Sequence, residues 1–250
     1  IFEQEIKEIA DLLHANGSYL YMDGADMNAL LGIARPGDMG VDCMHVNLHK
    51  TFGTPHGGGG PGSGPVLVQQ ALEKFLPVPR IVHAPRQLFT LSYSYPDSIG
   101  MIHSTLGNVT VLIKALVYIA SLGPRGLMEI SKAAALNANY LKHRLTPHFD
   151  VPYPTPTLHE FVLTDKRQKE AGVTTLDMAK ALMDRGFHPP TVYFPLVAPG
   201  AIMIEPTETE PREELDRFVD AMQAIAAQAN ENPARFHDRL ELTPVERVDE

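Results

Sequence analysis

The sequence predicts an α/β fold. Short apolar runs alternate with stretches of helical periodicity along the chain. Two of those runs lead into chemistry-bearing residues, Asp23 and the group at 47–50. Glycine- and proline-rich joints separate the segments. With 250 residues, 44% of them hydrophobic, the chain can build one large domain or two small ones, each with its own core.

The elements follow in order. Phe2, Ile6, Ile9 and Leu13 fall at helical spacing, and Gly17 stands where a C-terminal cap belongs. Residues 19–22 read as a buried strand ending at Asp23. A turn-rich segment with Gly32, Pro36, Gly37 and Gly40 follows. A second strand over 41–46 then runs directly into Asn47-Leu48-His49-Lys50. Six glycines in the eight positions 57–64 make a glycine-dense loop, and 65–68 reads as a third strand. From about 104 to 121 the pattern is helical, with Val109, Leu112, Ile113 and Leu116 on one stripe, until Gly123 and Pro124 stop it. A second helix covers about 127–145. After a proline-rich connector at 147–156 come a strand at 161–163, a helix at 175–185 and strands at 192–196 and 201–204. Thr209 is the expected N-cap of a last helix. Glu210, Glu213 and Glu214 load its positive end, and Leu215, Phe218, Val219, Met222 and Ile225 form its apolar face. From about Asn230 the chain reads as polar and extended. The joint near 123 divides the chain into residues 1–121 and 122–250.

Bulk properties exclude several classes. The net charge is −9 and no run of Lys or Arg interrupts it, which argues against a nucleic-acid binder. One cysteine, Cys43, cannot form an internal disulfide. The charged, amphipathic start does not read as a signal peptide, and no apolar stretch approaches the ~20 residues that span a bilayer. A cytoplasmic protein with no membrane association is the expectation. The first residue is Ile, so the chain reads as an excerpt of something longer.

Asp23 and Lys50 carry the chemistry. In α/β folds ligands gather at the C-terminal ends of strands. A buried acid and a strand-end lysine in adjacent strands are what a pyridoxal-phosphate site requires. The acid keeps the pyridine nitrogen protonated, and the lysine, neutral when desolvated or near positive charge, attacks the aldehyde. The plainer reading of the pair is a surface lysine and an ordinary strand-end aspartate. His49 puts a ring donor beside Lys50, Asn47 precedes it by three, and Ala25 leaves room for a flat ring two residues after Asp23. Cys43, His45, His49 and His56 invite a comparison with zinc sites. A strand followed by a turn lacks the helical HxxxH geometry, and no metal is expected.

The segment Thr51-Phe52-Gly53-Thr54-Pro55-His56-Gly57-Gly58-Gly59-Gly60-Pro61-Gly62-Ser63-Gly64-Pro65 resembles one family closely: the P-protein of the glycine cleavage system, glycine dehydrogenase (decarboxylating). The resemblance continues in Tyr21-Met22-Asp23-Gly24-Ala25, Ala34-Arg35-Pro36-Gly37-Asp38, Ala135-Leu136-Asn137-Ala138-Asn139-Tyr140-Leu141, His159-Glu160-Phe161, His188-Pro189-Pro190-Thr191 and Ile204-Glu205-Pro206-Thr207-Glu208-Thr209-Glu210. Ser98-Ile99-Gly100 and Gly107-Asn108 look more like the second subunit of the two-subunit form. The resemblance implies a fold-type-I PLP-dependent transferase, with 1–121 as the C-terminal part of the large PLP-binding domain. Residues 122–250 would be the small C-terminal α/β domain with an extended tail. It also implies pyridoxal 5'-phosphate held as a Schiff base on Lys50, with Asp23, Ala25, Asn47 and His49 near it. The implied reaction is decarboxylation of glycine, passing the aminomethyl group to the lipoyl group of H-protein. The implied partners are the first subunit and lipoylated H-protein, in an oligomer. It further implies that earlier strands, outside these residues, complete the cofactor cradle. Another fold-type-I decarboxylase or aminotransferase, or a non-catalytic half that only docks to a partner chain, stands as the alternative.

Overall fold

The computed structural model describes residues 3–56, 62–104, 106–236 and 243. The chain divides into two compact units, Glu3–Met128 and the chain from Glu129 on.

In the first unit, helix α1 (Ile6–Ala15) ends as its sequence predicts. Gly17 sits at φ 69, its N–H donating to the His14 carbonyl and the Ser18 N–H to the Leu13 carbonyl. These two bonds close a Schellman cap, which needs a residue in the left-handed region. Strands β1 (Tyr21–Gly24) and β2 (Cys43–Val46) pair in parallel, Asp23 opposite His45. Strand β3 (Val66–Val68) adds antiparallel to β2, giving the order β1-β2-β3. β1 starts two residues later than the apolar run suggests and contains Asp23. Asp42 fixes the approach to β2: its carboxylate accepts the Leu20 N–H at 2.8 Å and meets His14 Nε2 at 2.7 Å. Burial would raise its pKa, but these two contacts outweigh that and hold it below the ordinary value.

After α2 (Gln70–Glu73) comes a hairpin of β4 (Arg80–Ala84) and β5 (Leu88–Ser92) that the sequence reading leaves unassigned. Pro79, Pro85 and Arg86, the last at φ 67, punctuate this stretch and hide its strands. Arg80 anchors it, stacking 3.8 Å over the Tyr95 ring and donating to the Leu76 carbonyl. The long helical run α3 (Val109–Leu145) breaks at Gly123, where φ 62 and ψ −178 leave helical backbone, as Gly123-Pro124 predicts. It starts at Val109, not near 104. Of the stripe read from its sequence only Leu112 packs on the core: Ile113 is 56% and Leu116 65% exposed, whereas Val111 and Ala115 are buried with Met27, Val46 and Phe52. This helix is apolar on more than one side, so periodicity alone cannot choose the buried face. By length and composition alone one stretch of α3 is apolar enough to cross a membrane, contrary to the sequence expectation.

The second unit is built on a three-stranded antiparallel sheet, β6 (Phe161–Thr164), β7 (Thr191–Val192) and β8 (Ala201–Ile204), in the order β6-β8-β7. Helices α4 (Lys166–Lys169), α5 (Thr175–Asp184) and α6 (Arg212–Glu231) accompany it. Its core contains Leu145, Phe149, Leu163, Leu182, Met222 and Ile225. The strand expected over 192–196 stops at Val192, because Tyr193 takes φ 56, outside strand geometry. The last helix begins at Arg212 with Pro211 as N-cap, replacing the expected Thr209 cap. A proline inside a helix loses a hydrogen bond and clashes with the preceding turn, so the helix forms after it. The predicted apolar face holds, with Leu215, Val219, Met222 and Ile225 buried. The helix runs to Glu231, and Phe236 is buried beyond it, where a polar extended tail was expected. Most of the tail, and positions 57–61 of the glycine-dense loop, lie outside the described residues.

Candidate active site

Because β1 and β2 are parallel and paired Asp23↔His45 and Gly24↔Val46, their C-terminal ends lie side by side. Asp23 stands at that end of β1. Its Oδ1 accepts the Ala25 N–H at 2.9 Å and lies 3.3 Å from His45 Nε2, and 70% of the side chain is exposed. The expectation of a buried acid is therefore not met. Among the described residues β1 is an edge strand, and its carboxylate faces open space.

The next turn places the other expected residues. Lys50 N–H donates to the Asn47 carbonyl at 3.3 Å, Gly53 N–H to the Lys50 carbonyl at 3.2 Å, and Thr54 N–H to the Leu48 carbonyl at 3.2 Å. Leu48 is buried and pins the turn, Asn47 and His49 are half-buried, and Lys50 is exposed rather than desolvated. So Asn47, His49 and Lys50 share one turn at the end of β2, while Asp23 lies near the end of the adjacent strand and Ala25 just after it.

Two contacts were missed. Tyr21 and Asp23 alternate onto one face of β1, and His45 joins them: its Nδ1 bonds the Tyr21 hydroxyl while Nε2 faces Asp23. The alternation was legible, but recognising the triplet needs the β1–β2 register. Thr51 Oγ1 accepts the Met27 N–H at 2.9 Å and donates to Asp26 Oδ1 at 3.3 Å, bracing the turn after Lys50 against the chain after β1.

His49 is held below the ordinary histidine pKa, first by burial and then by the charges of His56 and Lys50. Its Nδ1 and the Thr54 hydroxyl oxygen are buried with no hydrogen-bond partner among the described residues. Buried polar atoms are normally satisfied, so these two stand out beside the Lys50 turn. A flat ring with an aldehyde, a pyridine nitrogen and a phosphate needs an amine, an anion and hydrogen-bonding groups together. Lys50, Asp23, Asn47 and His49 offer an amine, a carboxylate, an amide and an imidazole at the C-terminal ends of β1 and β2, group types that suit pyridoxal phosphate.

The architecture recurs in solved structures. Glycine decarboxylase (P-protein) of the glycine cleavage system, in inhibitor-bound form, superposes with TM-score 0.73 at 24% identity, covering 88% of this chain and 51% of that one. The cysteine desulfurase of Thermococcus onnurineus gives 0.66 at 14% identity, over 89% of this chain and 56% of that one. Serine palmitoyltransferase of Sphingomonas wittichii gives 0.64 at 13%, over 90% and 51%. The fold is that of the fold-type-I pyridoxal-phosphate enzymes, as the sequence predicts.

Sequence comparison narrows the class. Residues 130–240 match the family described as glycine dehydrogenase, C-terminal domain. All of this chain aligns at 56% identity with 52% of the probable glycine dehydrogenase (decarboxylating) subunit 2 of Chlorobaculum tepidum. It aligns equally completely, at 54% identity with 51% of the Chloroherpeton thalassium protein of that description and at 51% identity with 52% of the Desulforamulus reducens one. The chain is similar in sequence to these subunit 2 proteins over its whole length, and it spans about half the length of the curated relatives it matches.

Proposed function

We propose that this chain supplies the lysine-bearing part of a PLP site that decarboxylates glycine and passes its aminomethyl group to the lipoyl group of H-protein. The observation that carries the reading is the pairing of β1 and β2 in parallel, which brings the open Asp23 carboxylate and the Lys50 turn to the same end of the sheet. Residues 1–121 would be the C-terminal part of the large domain, and 122–250 the small C-terminal domain. The partners would be a first subunit and lipoylated H-protein, in a cytoplasmic oligomer.

When bound, the cofactor supplies an electron sink for the pair released as the glycine carboxylate leaves. The chain's own residues do the rest. Asp23 receives the pyridine nitrogen and keeps a proton on it, an anion matched to a cation at an open strand end. Lys50 is the covalent attachment point and, once released, an amine able to hold or return a proton. His49 offers an imidazole beside it, with a pKa held below the ordinary value first by burial and then by His56 and Lys50. Asn47 adds an amide at the start of the turn, and the small Ala25 leaves space beside Asp23.

The test is covalent. In the complete protein, borohydride reduction followed by peptide mass spectrometry should find a pyridoxyl group on Lys50, and Lys50→Ala should abolish it along with glycine decarboxylation. A reducible adduct that survives in Lys50→Ala would overturn the assignment.

A further inference from the structure

Six residues beyond Lys50, the ring of His56 meets the ring of His49 nearly perpendicular, with centroids 4.6 Å apart and planes at 75°. Such an edge-to-face pair has a preferred geometry, not merely proximity. Gly62 reaches the same imidazole from the other side of the glycine-dense segment. A Cβ at that position would lie 2.9 Å from His49 Nδ1 and 3.1 Å from Cε1, so backbone comes this close only because no side chain is there. The ring is thus confined from two directions, and both contacts come from residues C-terminal to Lys50.

We propose that His56 is a positioning residue of the cofactor site: its ring closes edge-on against His49 and, opposite the Gly62 backbone, fixes that imidazole in one orientation beside Lys50. The proposal rests on Lys50 being the attachment residue. It follows that His56 acts on the cofactor through His49. The charged groups facing His49 are His56 and Lys50; both disfavour its protonation, in the same direction as burial. Nδ1 is buried without a partner among the described residues, which also disfavours a cationic ring there. Removing the His56 charge therefore relaxes one of the causes that keep His49 neutral, while removing the His56 ring also releases the orientation.

Two variants of the complete holoenzyme separate these effects. His56→Phe keeps an aromatic edge and removes the titrating group; His56→Ala removes both. Three readings are taken: PLP affinity by absorbance titration, the titration midpoint of His49 by hydrogen–deuterium exchange at its Cε1 followed by mass spectrometry, and the pyridoxyl adduct after borohydride. In both variants the His49 midpoint should move to higher pH. PLP affinity should stay within about twofold of wild type in His56→Phe and fall about 3- to 10-fold in His56→Ala, the size of one lost aromatic contact. An unmoved His49 midpoint, with the adduct still on Lys50, overturns the role of His56 and leaves the lysine assignment standing. Equal loss of affinity in both variants also overturns it, because the aromatic edge would then be irrelevant. An adduct on a different lysine removes the site itself, and the proposal with it. Should His56→Ala fail to fold by circular dichroism, His56→Phe alone still decides through the midpoint.

Discussion

Proton placement on the pyridine ring depends on a charge that a neutral isostere lacks, and Asp23 is where that difference is testable. Asp23→Asn keeps the shape and the Ala25 N–H contact but loses the anion. Pyridoxal phosphate should still attach to Lys50, while glycine decarboxylation slows about 10²–10³-fold, as expected when one preorganised electrostatic contact is lost. Unchanged turnover would mean another residue faces the ring nitrogen. Asp216 offers a prediction about stability. The Tyr140 hydroxyl donates to it, Arg144 Nη1 lies 3.1 Å from Oδ1, and Arg212 Nε lies 3.5 Å from Oδ2. The Tyr140 bond is the largest influence, burial opposes it, and with Arg212 and Arg144 added the net effect holds its pKa below the ordinary 3.8. A carboxyl depressed in the folded state stabilises above its unfolded value, and that stabilisation is lost as pH falls through the folded one. Asp216→Asn should therefore lower the melting temperature at neutral pH, and the gap from wild type should close below about pH 3.8. A gap that stays constant through this window would show that Asp216 stabilises by packing or neutral hydrogen bonding alone. At this scale the sequence singled out Lys50, Asp23, Ala25, Asn47 and His49 as candidates for the proposed site, by residue type and by family resemblance. It missed the Tyr21–His45 contact, because that requires strand register.

Elements with local signals were the legible ones. The cap at Gly17, the break at Gly123 and the helix at 175–185 follow from residue-level rules, and the structure bears them out with the last helix turn ending at Asp184. Helix α5 opens with a capping box: Thr174 Oγ1 accepts the Asp177 N–H, and Asp177 Oδ2 accepts the Thr174 N–H at 2.9 Å. The hairpin of β4 and β5 and the end of β7 were not legible, since they depend on two positive-φ residues, Arg86 and Tyr193, whose types do not announce it. The join of β8 to α5 shows what such backbone control is worth. Gly200 has φ 67, its carbonyl accepts the Thr175 hydroxyl at 2.7 Å and the Asp165 N–H at 3.1 Å, and the Asp165 carboxylate accepts the Thr175 N–H. A Cβ on Gly200 would sit 1.9 Å from Asp165 Oδ1. Gly200→Ala should cost about 2–3 kcal/mol, combining backbone strain with displacement of a buried carboxylate. Thr174→Ala, removing one half of the capping box, should cost only about 1 kcal/mol. Denaturant midpoints with unchanged slopes would read both, and a Gly200→Ala as mild as Thr174→Ala would show that Asp165 moves aside freely.

For the whole molecule, the α/β class was legible because strand and helix periods alternate along the chain, whereas which faces are covered was not. The reason is visible in α3 and the hairpin. Periodicity reports that a face is apolar, and the described residues leave several such faces open: Phe89 is 68% exposed, Ile102 70% and Leu116 65%. All three belong to the unit Glu3–Met128, which also carries Asp23 and Lys50. Large apolar surface in water favours association, and an exposed hairpin edge adds unpaired backbone groups. Residues 1–250 produced alone should therefore self-associate. Sedimentation velocity across a concentration series should show species heavier than a 250-residue monomer, growing with concentration. Replacing Phe89 and Leu116 together with serine removes two of the most exposed apolar side chains without touching a buried one, and should shift the distribution toward monomer. A monodisperse monomer at every concentration would sink the idea, and would mean that these side chains find cover within the chain itself.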